Sequence, residues 1–148
     1  MIEENNSMPG CPVARGLESV GDAWSMLILR DAHAGMARFD QFRKNLGIAP
    51  TMLTKRLAAL TDAGLLEKRS YSERPPRDEY VLTDAGRDFL PVLMMIGAWA
   101  QRNCSGDRLA RYIDDETGQE IQPMAIDAVT GAQLGSRPMH MGLPPEAS

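Results

Sequence analysis

The sequence predicts a mainly α-helical fold with a small β-sheet, in the α+β class, and three observations predict it. Short segments with apolar residues at helical spacing, separated by glycines, fill residues 12–64. Segments at 65–71 and 78–82 flank a loop that contains two prolines, a pattern typical of a β-hairpin. Residues 89–99 are apolar on nearly all sides, which predicts a further helix with more than one buried face.

The first three helices are predicted from apolar spacing and from the glycines between them. They cover residues 12–20, 23–34 and 39–46. Residues 36–38 are a candidate short strand that pairs with the hairpin. The side chains predicted to face inward from the first two helices are Val13, Leu17, Val20, Trp24, Leu27, Ile28 and Ala32.

The fourth helix begins at Pro50, because proline suits the first helical position, and it ends at Gly64. Leu53, Leu57 and Leu60 recur at i, i+4 and i+7 and form one apolar stripe. The opposite face carries small, polar or cationic residues. These residues are Thr51, Thr54, Lys55 and Ala58. Such a helix suits a DNA major groove, where hydroxyls and a cation reach base edges and phosphates.

A basic hairpin follows the fourth helix. Its loop, residues 72–77, contains two prolines that cannot join a ladder, so we expect the loop to stand off the body. Arg74 and Arg77 place two guanidinium groups at its tip. Two helices joined by a turn and followed by such a hairpin form a winged helix–turn–helix, whose wing contacts phosphates or the minor groove. The residues predicted to contact double-stranded DNA are Arg43, Lys44, Thr51, Thr54, Lys55, Arg56, Arg74 and Arg77.

The net charge of −4 argues against DNA binding until its distribution is considered. Residues 38–77 carry nine basic and four acidic residues, whereas residues 104–148 carry three basic and seven acidic ones. Positive charge therefore concentrates in the segment predicted to contact DNA.

Seven short segments occur in the order seen in a known family. They are CPVAR at 11–15, GDAWSMLILR at 21–30, RF at 38–39, LTKRL at 53–57, AGL at 63–65, PPRDEY at 75–80 and LT at 82–83. Through them, residues 11–103 resemble the HxlR-type bacterial transcriptional regulators, relatives of the MarR group. The resemblance implies a homodimeric winged-helix repressor or activator on an inverted-repeat operator, and we expect a repressor. Ala49 departs from the family pattern, in which a Ser or Thr at this place can cap the helix. Loss of such a cap costs about 1 kcal/mol.

Residues 89–99, FLPVLMMIGAW, are too apolar for a surface helix with one buried stripe. We expect this helix to pack on its own core and on a second copy of itself. The alternative is a single central core helix. The residues predicted at the dimer interface are Leu90, Leu93, Met94, Ile96 and Trp99. Met94 and Met95 are also candidates to line a pocket for a small-molecule effector, with core packing as the alternative.

The end of the chain contains an internal repeat. Segments at 113–121 and 126–134 share the pattern I-D-x-x-T-G-x-x-[IL], which predicts two consecutive β-hairpins. A calcium loop is the rejected alternative, because the ligand positions do not match an EF-hand. The predicted organisation is a flexible arm at 1–10, a winged-helix domain at 11–104 and an acidic appendage at 105–148, disordered from residue 135.

The sequence shows no enzyme motif. It has no glycine-rich phosphate loop and no catalytic Ser or Cys pattern, and its two cysteines and two scattered histidines make a poor zinc site. We therefore expect no enzymatic activity, no cofactor and no metal. No apolar run approaches the roughly 20 residues of a membrane span. The acidic start is unlike a secretory signal, so we expect no membrane partner and a cytoplasmic protein.

Cys11 precedes the first helix, whose dipole would stabilise a thiolate. Some relatives in the HxlR group sense oxidants or electrophiles through a cysteine at this place, so the resemblance implies a sensing role for Cys11. A half-buried packing residue is the alternative. Two other functions stay open for the whole chain: a protein–protein docking module without DNA binding, and a ligand or thiol sensor whose output is not transcription.

Overall fold

The computed structural model describes residues 10–106 and 108–147 and confirms a mainly helical fold with a small antiparallel sheet. Its elements are α1 (Pro12–Val20), α2 (Ala23–His33), α3 (Phe39–Leu46), α4 (Pro50–Asp62), β1 (Leu66–Glu73), β2 (Pro76–Leu82), α5 (Asp84–Asp88) and α6 (Leu90–Asn103). The predicted flexible arm falls, except for residue 10, outside the described residues. Within the described ranges, no helix is long and apolar enough to cross a membrane.

The chain divides into two compact units. The first, here called the N-terminal unit, runs to Leu90 and also includes the chain from Leu143 onward. The second, here called the C-terminal unit, is Pro91–Gly142. This division precedes most of α6, whereas the predicted domain boundary at residue 104 follows that helix.

The core of the N-terminal unit lies where α2, α3 and α4 pack together. Its largest fully buried side chains are Ile28, Leu29, Phe42, Leu53, Leu57, Leu60 and Leu66. The leucine stripe predicted on α4 is therefore confirmed. Because all three leucines of that stripe point into the core, the opposite face of α4 is left for solvent or for a partner.

The apolar face predicted for α1 is only partly correct. Val20 is buried, but Val13 and Leu17 are 62% and 39% exposed. Only the last turn of this short helix therefore reaches the core. On α2, Ile28 and Ala32 are buried as predicted, while the side chains predicted beside them are half-buried.

A buried carboxylate joins α2 to α3. Asp31 is 2% exposed, and its Oδ1 accepts hydrogen bonds from Nε and Nη2 of Arg30 at 3.0 and 2.8 Å. Its Oδ2 accepts a hydrogen bond from Nδ2 of Asn45 at 2.9 Å. The paired and hydrogen-bonded carboxylate can therefore be buried without an uncompensated charge. Sequence periodicity gave no sign of this contact.

β1 and β2 extend further toward the hairpin tip than predicted. Pro76 pairs with Glu73, and only Arg74 and Pro75 lie between the strands. The prediction of a six-residue loop at 72–77, held out of the ladder by its prolines, is therefore wrong. The error has a physical reason, because proline is tolerated as the first residue of a strand.

Two irregularities shape the sheet. A register shift within β1 leaves Tyr71 as the extra residue of a β-bulge. Beside β2, Arg38 forms an isolated antiparallel bridge with Glu79. The short strand predicted before α3 is therefore present as a single bridge.

The start of α5 depends on a close backbone approach. Thr83 caps this helix, since its Oγ1 accepts a hydrogen bond from the N–H of Gly86 at 3.1 Å. Gly86 is buried, and a Cβ atom there would collide with the carbonyl oxygen of Leu65. Gly86 has a low helix propensity, but packing against the Leu65 carbonyl requires a residue without a side chain at this position.

In the C-terminal unit, the two repeats of the sequence form the same tight turn. The first closes with an antiparallel bridge between Ile113 and Glu120, and the second with one between Ile126 and Gln133. The equivalent glycines, Gly118 and Gly131, have φ values of 71° and 72°. The Asp114 and Asp127 side chains accept backbone N–H groups inside their turns at 2.8 and 2.9 Å. Each repeat is thus a short hairpin that is closed by a single bridge rather than by extended strands.

Candidate nucleic-acid interface

The outer face of α4 is small, polar and carries one cation. Thr51, Thr54 and Lys55 are all exposed on it. The Thr54 hydroxyl donates a hydrogen bond to the carbonyl of Pro50 at 2.9 Å, which keeps its side chain close to the helix. Ala49 precedes the helix and provides no side-chain cap, as the sequence predicts. This face therefore presents hydroxyls and an ammonium group without a bulky side chain.

The structure does not group Arg56 with those residues. Its Nε lies 3.4 Å from Oδ1 of Asp22 at the start of α2, and its side chain is 34% exposed. This Nε is buried and has no hydrogen-bond partner among the described residues. Arg56 therefore serves an ion pair within the N-terminal unit, and its placement differs from that of the other predicted DNA contacts on α4.

Asp22 combines this ion pair with a helix cap. Its carboxylate accepts hydrogen bonds from the backbone N–H and the hydroxyl of Ser25 at 2.8 and 2.6 Å. Partial burial raises the pKa of the Asp22 carboxyl, but these hydrogen bonds and the charge of Arg56 outweigh it, so the pKa lies below its ordinary value of 3.8. The carboxylate thus joins α2 to α4 while it is ionised.

Two more predicted contacts lie at the end of α3. Arg43 and Lys44 are exposed in its last turn, which Gly47 closes with a left-handed φ of 64°. Cations are favourable at this end of a helix dipole. No carboxylate lies within 4.0 Å of either cation in the part of the chain that the structure describes, so both charges are available to an anion.

The cations of the wing fall into two groups. Near its base, Lys68 is paired with Asp78 at 3.5 Å and Arg69 with Glu67 at 3.1 Å. The other two, at or next to the turn, have no such partner in the described ranges. These are Arg74 and Arg77, both exposed. The wing has equal numbers of basic and acidic residues, four of each over 66–82, so its available positive charge lies at the tip.

A contact between an arginine and an aromatic ring lies between the wing and α3, and it was not predicted from the sequence. The Cζ atom of Arg38, immediately before α3, lies 4.6 Å from the centroid of the Tyr71 ring. Arg38 and Tyr71 line a cleft between α3 and the wing, and Arg77 lines it as well. The β-bulge that directs Tyr71 and the long-range pairing that brings Arg38 beside it leave no local signal in the sequence.

The residues predicted for the dimer interface are unequally exposed. Ile96 and Trp99 are 46% and 56% exposed, whereas the other three, Leu90, Leu93 and Met94, are half-buried. Val92, which was not predicted, is 46% exposed. Because Val92, Ile96 and Trp99 are spaced i, i+4 and i+7, they form one apolar stripe along α6.

Cys11 occupies the N-cap position of α1. Its Sγ accepts a weak hydrogen bond from the N–H of Ala14 at 3.5 Å, and the residue is half-buried. Cys104 is exposed. Over the described ranges, no cluster of His, Cys, Asp and Glu side chains is arranged to hold a metal ion.

The chain is similar to known proteins both in sequence and in structure. Residues 19–108 match the family described as HxlR-like helix-turn-helix. Over 90 residues, the chain is 44% identical to Mb3122 of Mycobacterium bovis, named an uncharacterized HTH-type transcriptional regulator. The match spans 61% of this chain and 57% of that relative, so it covers less than two thirds of the relative's length.

Solved structures are also similar to this chain, among them those of PA1607 and HypR. The crystal structure of PA1607 superposes with a TM-score of 0.82 at 34% identity, over 90% of this chain and 95% of that one. The oxidized form of the redox regulator HypR superposes with a TM-score of 0.59 at 31% identity, over 65% of this chain and all of that one. The match to PA1607 thus extends beyond residues 19–108, where the family match lies.

Proposed function

The chain belongs to the HxlR-like helix-turn-helix family, and on that premise we propose that it is a homodimeric transcription regulator, more specifically a repressor, without enzymatic activity. One observation carries this proposal. The exposed face of α4 presents two hydroxyls and a cation, and the same unit holds a wing whose tip cations, Arg74 and Arg77, have no carboxylate partner among the described residues.

In the proposed complex, α4 enters the major groove. Thr51 and Thr54 contact base edges, while Lys55, Arg74 and Arg77 contact phosphates. Arg43 and Lys44 add phosphate contacts from the end of α3. Because each phosphate contact releases counterions, binding weakens steeply as the salt concentration rises. Arg56 has a structural part in this proposal, as the residue that holds α4 against the start of α2.

The proposed dimer forms through α6. Its stripe of Val92, Ile96 and Trp99 exposes large apolar side chains that a second copy would cover. A two-fold dimer presents two copies of α4 to a pseudo-palindromic operator, with half-sites about one helical turn, roughly 34 Å, apart. The winged-helix domain of residues 11–104 would bind DNA, and residues 105–148 would form a separate appendage.

The first test is a binding titration with the DNA immediately upstream of the gene, at two salt concentrations and with scrambled DNA as control. We expect tighter binding to the upstream DNA and a steep loss of affinity with salt. Replacing Lys55 with Ala should weaken binding to every sequence and reduce the salt slope by about one unit per half-site.

Two other outcomes of this titration have different meanings. Equal binding to upstream and scrambled DNA would place the operator elsewhere. A folded dimer that binds neither duplex at low salt would contradict the proposal and favour the alternative function, a winged-helix module that docks on another protein.

We also propose that Cys11 makes the regulator responsive to thiol modification, with a small-molecule effector as the other form of control. The N-cap position of Cys11 supports this, since its Sγ accepts a hydrogen bond from the N–H of Ala14 at the helix start. The similarity to HypR, named a redox regulator, gives further support. DNA binding should lose its oxidant sensitivity in Cys11→Ser. If Cys11→Ser binds DNA with unchanged oxidant sensitivity, Cys11 is only a packing residue.

A further inference from the structure

We infer that Arg38, held on the Tyr71 ring, is a further DNA-phosphate contact and that it works with Arg77 as a clamp between α3 and the wing. This inference rests on the proposed DNA-binding function and adds a contact that the helix and the wing tip do not provide. It assigns Arg38 a contact role and Tyr71 a positioning role.

The backbone around Arg38 is fixed on both sides. Its bridge with Glu79 joins it to β2, and the N–H of Tyr80 donates to the carbonyl of Ala37 at 2.7 Å. The side chain of Gln41 accepts hydrogen bonds from the N–H groups of Ala37 and Arg38, both at 3.0 Å. The position from which the Arg38 side chain extends is therefore set by the bridge to β2 and by the hydrogen bonds to Gln41.

Among the residues that the structure describes, the guanidinium group of Arg38 has an aromatic partner but no ionic one. Its Cζ lies 4.6 Å from the centroid of the Tyr71 ring. No carboxylate in the described part of the chain lies within 4.0 Å of it, although Asp40 and Asp78 line the same cleft. An arginine that stacks on a ring keeps the edge of its guanidinium free, so its N–H donors can meet a phosphate.

The β-bulge explains why Tyr71 can serve as this platform. A regular strand alternates its side chains between two faces, whereas a bulge redirects the side chain of the extra residue. Tyr71 is that residue, and it is 36% exposed. The ring restricts the arginine in the unbound protein, so less side-chain entropy is lost when the guanidinium binds.

The charges around the cleft favour an anion. Arg38 and Arg77 both line it, and neither has a carboxylate partner among the residues that the structure describes. Of the two acidic residues in the lining, Asp78 is compensated by Lys68 at 3.5 Å. Two guanidinium groups thus face one uncompensated carboxylate, that of Asp40. Planar guanidinium groups match the geometry of phosphate oxygens, and DNA phosphates run continuously beside a bound wing.

The test compares Arg38→Ala with Arg69→Ala on a labelled mixed-sequence DNA duplex, by fluorescence anisotropy over a series of salt concentrations. Arg69 is the matched control, because it is an exposed arginine of the same unit and its loss changes the net charge equally, but it is already paired with Glu67. Arg38→Ala should weaken binding about eightfold per protomer at 0.1 M salt and reduce the salt slope by about 0.9. Arg69→Ala should change both quantities much less.

Two variants of Tyr71 test the positioning role. Tyr71→Ala should weaken binding roughly two- to fivefold with an unchanged salt slope, since the charge of Arg38 is kept and only its restraint is lost. Tyr71→Phe keeps the ring and should bind like the wild type. Thermal unfolding of each variant by circular dichroism shows whether it is folded.

The outcomes separate this inference from the function on which it rests. A wild-type protein that does not bind the duplex at low salt would contradict DNA binding itself. If the wild type binds but Arg38→Ala and Arg69→Ala weaken binding equally, long-range charge explains the effect and the clamp is wrong. Equal binding by Tyr71→Ala and Tyr71→Phe would remove the positioning role alone.

Discussion

The N-terminal unit and the C-terminal unit are each stabilised internally by different interactions. Ten large apolar side chains are buried among the described residues of the N-terminal unit, and seven of them belong to α2, α3, α4 and β1. In the C-terminal unit, Ala98 is the one buried residue of the described part. Local order there comes from turns closed by Asp114 and Asp127, whose carboxylates accept backbone N–H groups.

The comparison shows that a segment can be locally ordered without being stable on its own. A hydrogen-bonded turn fixes the path of a few residues, but it buries little apolar surface and cannot offset the conformational entropy of a chain. The C-terminal unit exposes many large apolar side chains, among them Trp99 at 56% and Val129 at 92%. The N-terminal unit can therefore be stabilised by its own core, whereas the C-terminal unit needs further apolar cover.

The largest expected effect is on the core of the N-terminal unit. Leu57→Ala removes a fully buried side chain and should lower the free energy of unfolding by about 2–5 kcal/mol. Ile126→Ala is the matched truncation in the C-terminal unit, where the side chain is 49% exposed, and it should change this free energy by less than about 0.5 kcal/mol. Urea denaturation followed by circular dichroism measures both. Similar losses in the two variants would show that Ile126 is covered in solution.

The next effect tests where the C-terminal unit obtains its apolar cover. If α6 forms the proposed dimer, Trp99→Glu places a charge in the interface and should weaken dimerisation by at least about 2 kcal/mol, or about thirtyfold. Val129→Glu adds the same charge to an exposed turn of the same unit and should leave the dimer intact. Sedimentation equilibrium measures both. Dissociation by Val129→Glu alone would move the interface from α6 to the turns.

A third comparison concerns two glycines that are needed for different reasons. Gly86→Ala would force a methyl group against the Leu65 carbonyl and should destabilise the N-terminal unit by about 1–3 kcal/mol. Gly131→Ala has open space around it, and its cost comes from a φ of +72°, about 1–2 kcal/mol for a residue with a side chain. Thermal unfolding should therefore shift for Gly86→Ala, while Gly131→Ala should disturb only amide signals of its own turn in NMR spectra. A main unfolding transition lowered equally by both variants would contradict this division.

Sequence predicted best what depends on neighbours along the chain. Pro50 marks the start of α4, and the leucines of this helix mark its buried face. These features follow from dihedral preference and from periodicity. The tight turns of the repeat follow from the position of Asp and Gly in the same way.

What the sequence did not predict depends on distant partners. Asp31 is buried because Asn45 reaches it from another helix, and Arg38 lies on Tyr71 because a bridge and a bulge bring them together. Arg56 was predicted to contact DNA, but in the structure it pairs with Asp22 at the start of α2. For the candidate interface, the small polar face was therefore predictable, and the pairing state of each arginine was not.

The smallest effect is a difference in acid sensitivity between two aspartates. Both carboxyls have a pKa below the ordinary value of 3.8: for Asp22, hydrogen bonds from Ser25 and the charge of Arg56 outweigh burial; for Asp127, the N–H of Val129 and the hydroxyl of Thr130 are the main causes. A carboxyl with a lowered pKa in the folded state stabilises that state above pH 3.8, and this stabilisation is lost as the pH falls through the folded-state pKa.

Of these two aspartates, Asp22 is the one whose carboxylate joins helices of a buried core, so its protonation should change global unfolding and that of Asp127 should not. Asp22→Asn keeps a helix cap but removes the charge, and its stability should therefore approach that of the wild type as the pH falls below 3.8. Asp127→Asn should unfold like the wild type at every pH, with changes confined to the amide signals of Val129 and its neighbours. Urea denaturation between pH 7 and pH 3 measures the first, and NMR titration the second. A pH-dependent change in global unfolding for Asp127→Asn would mean that the turn is coupled to a core, and the distinction between the two units would then fail.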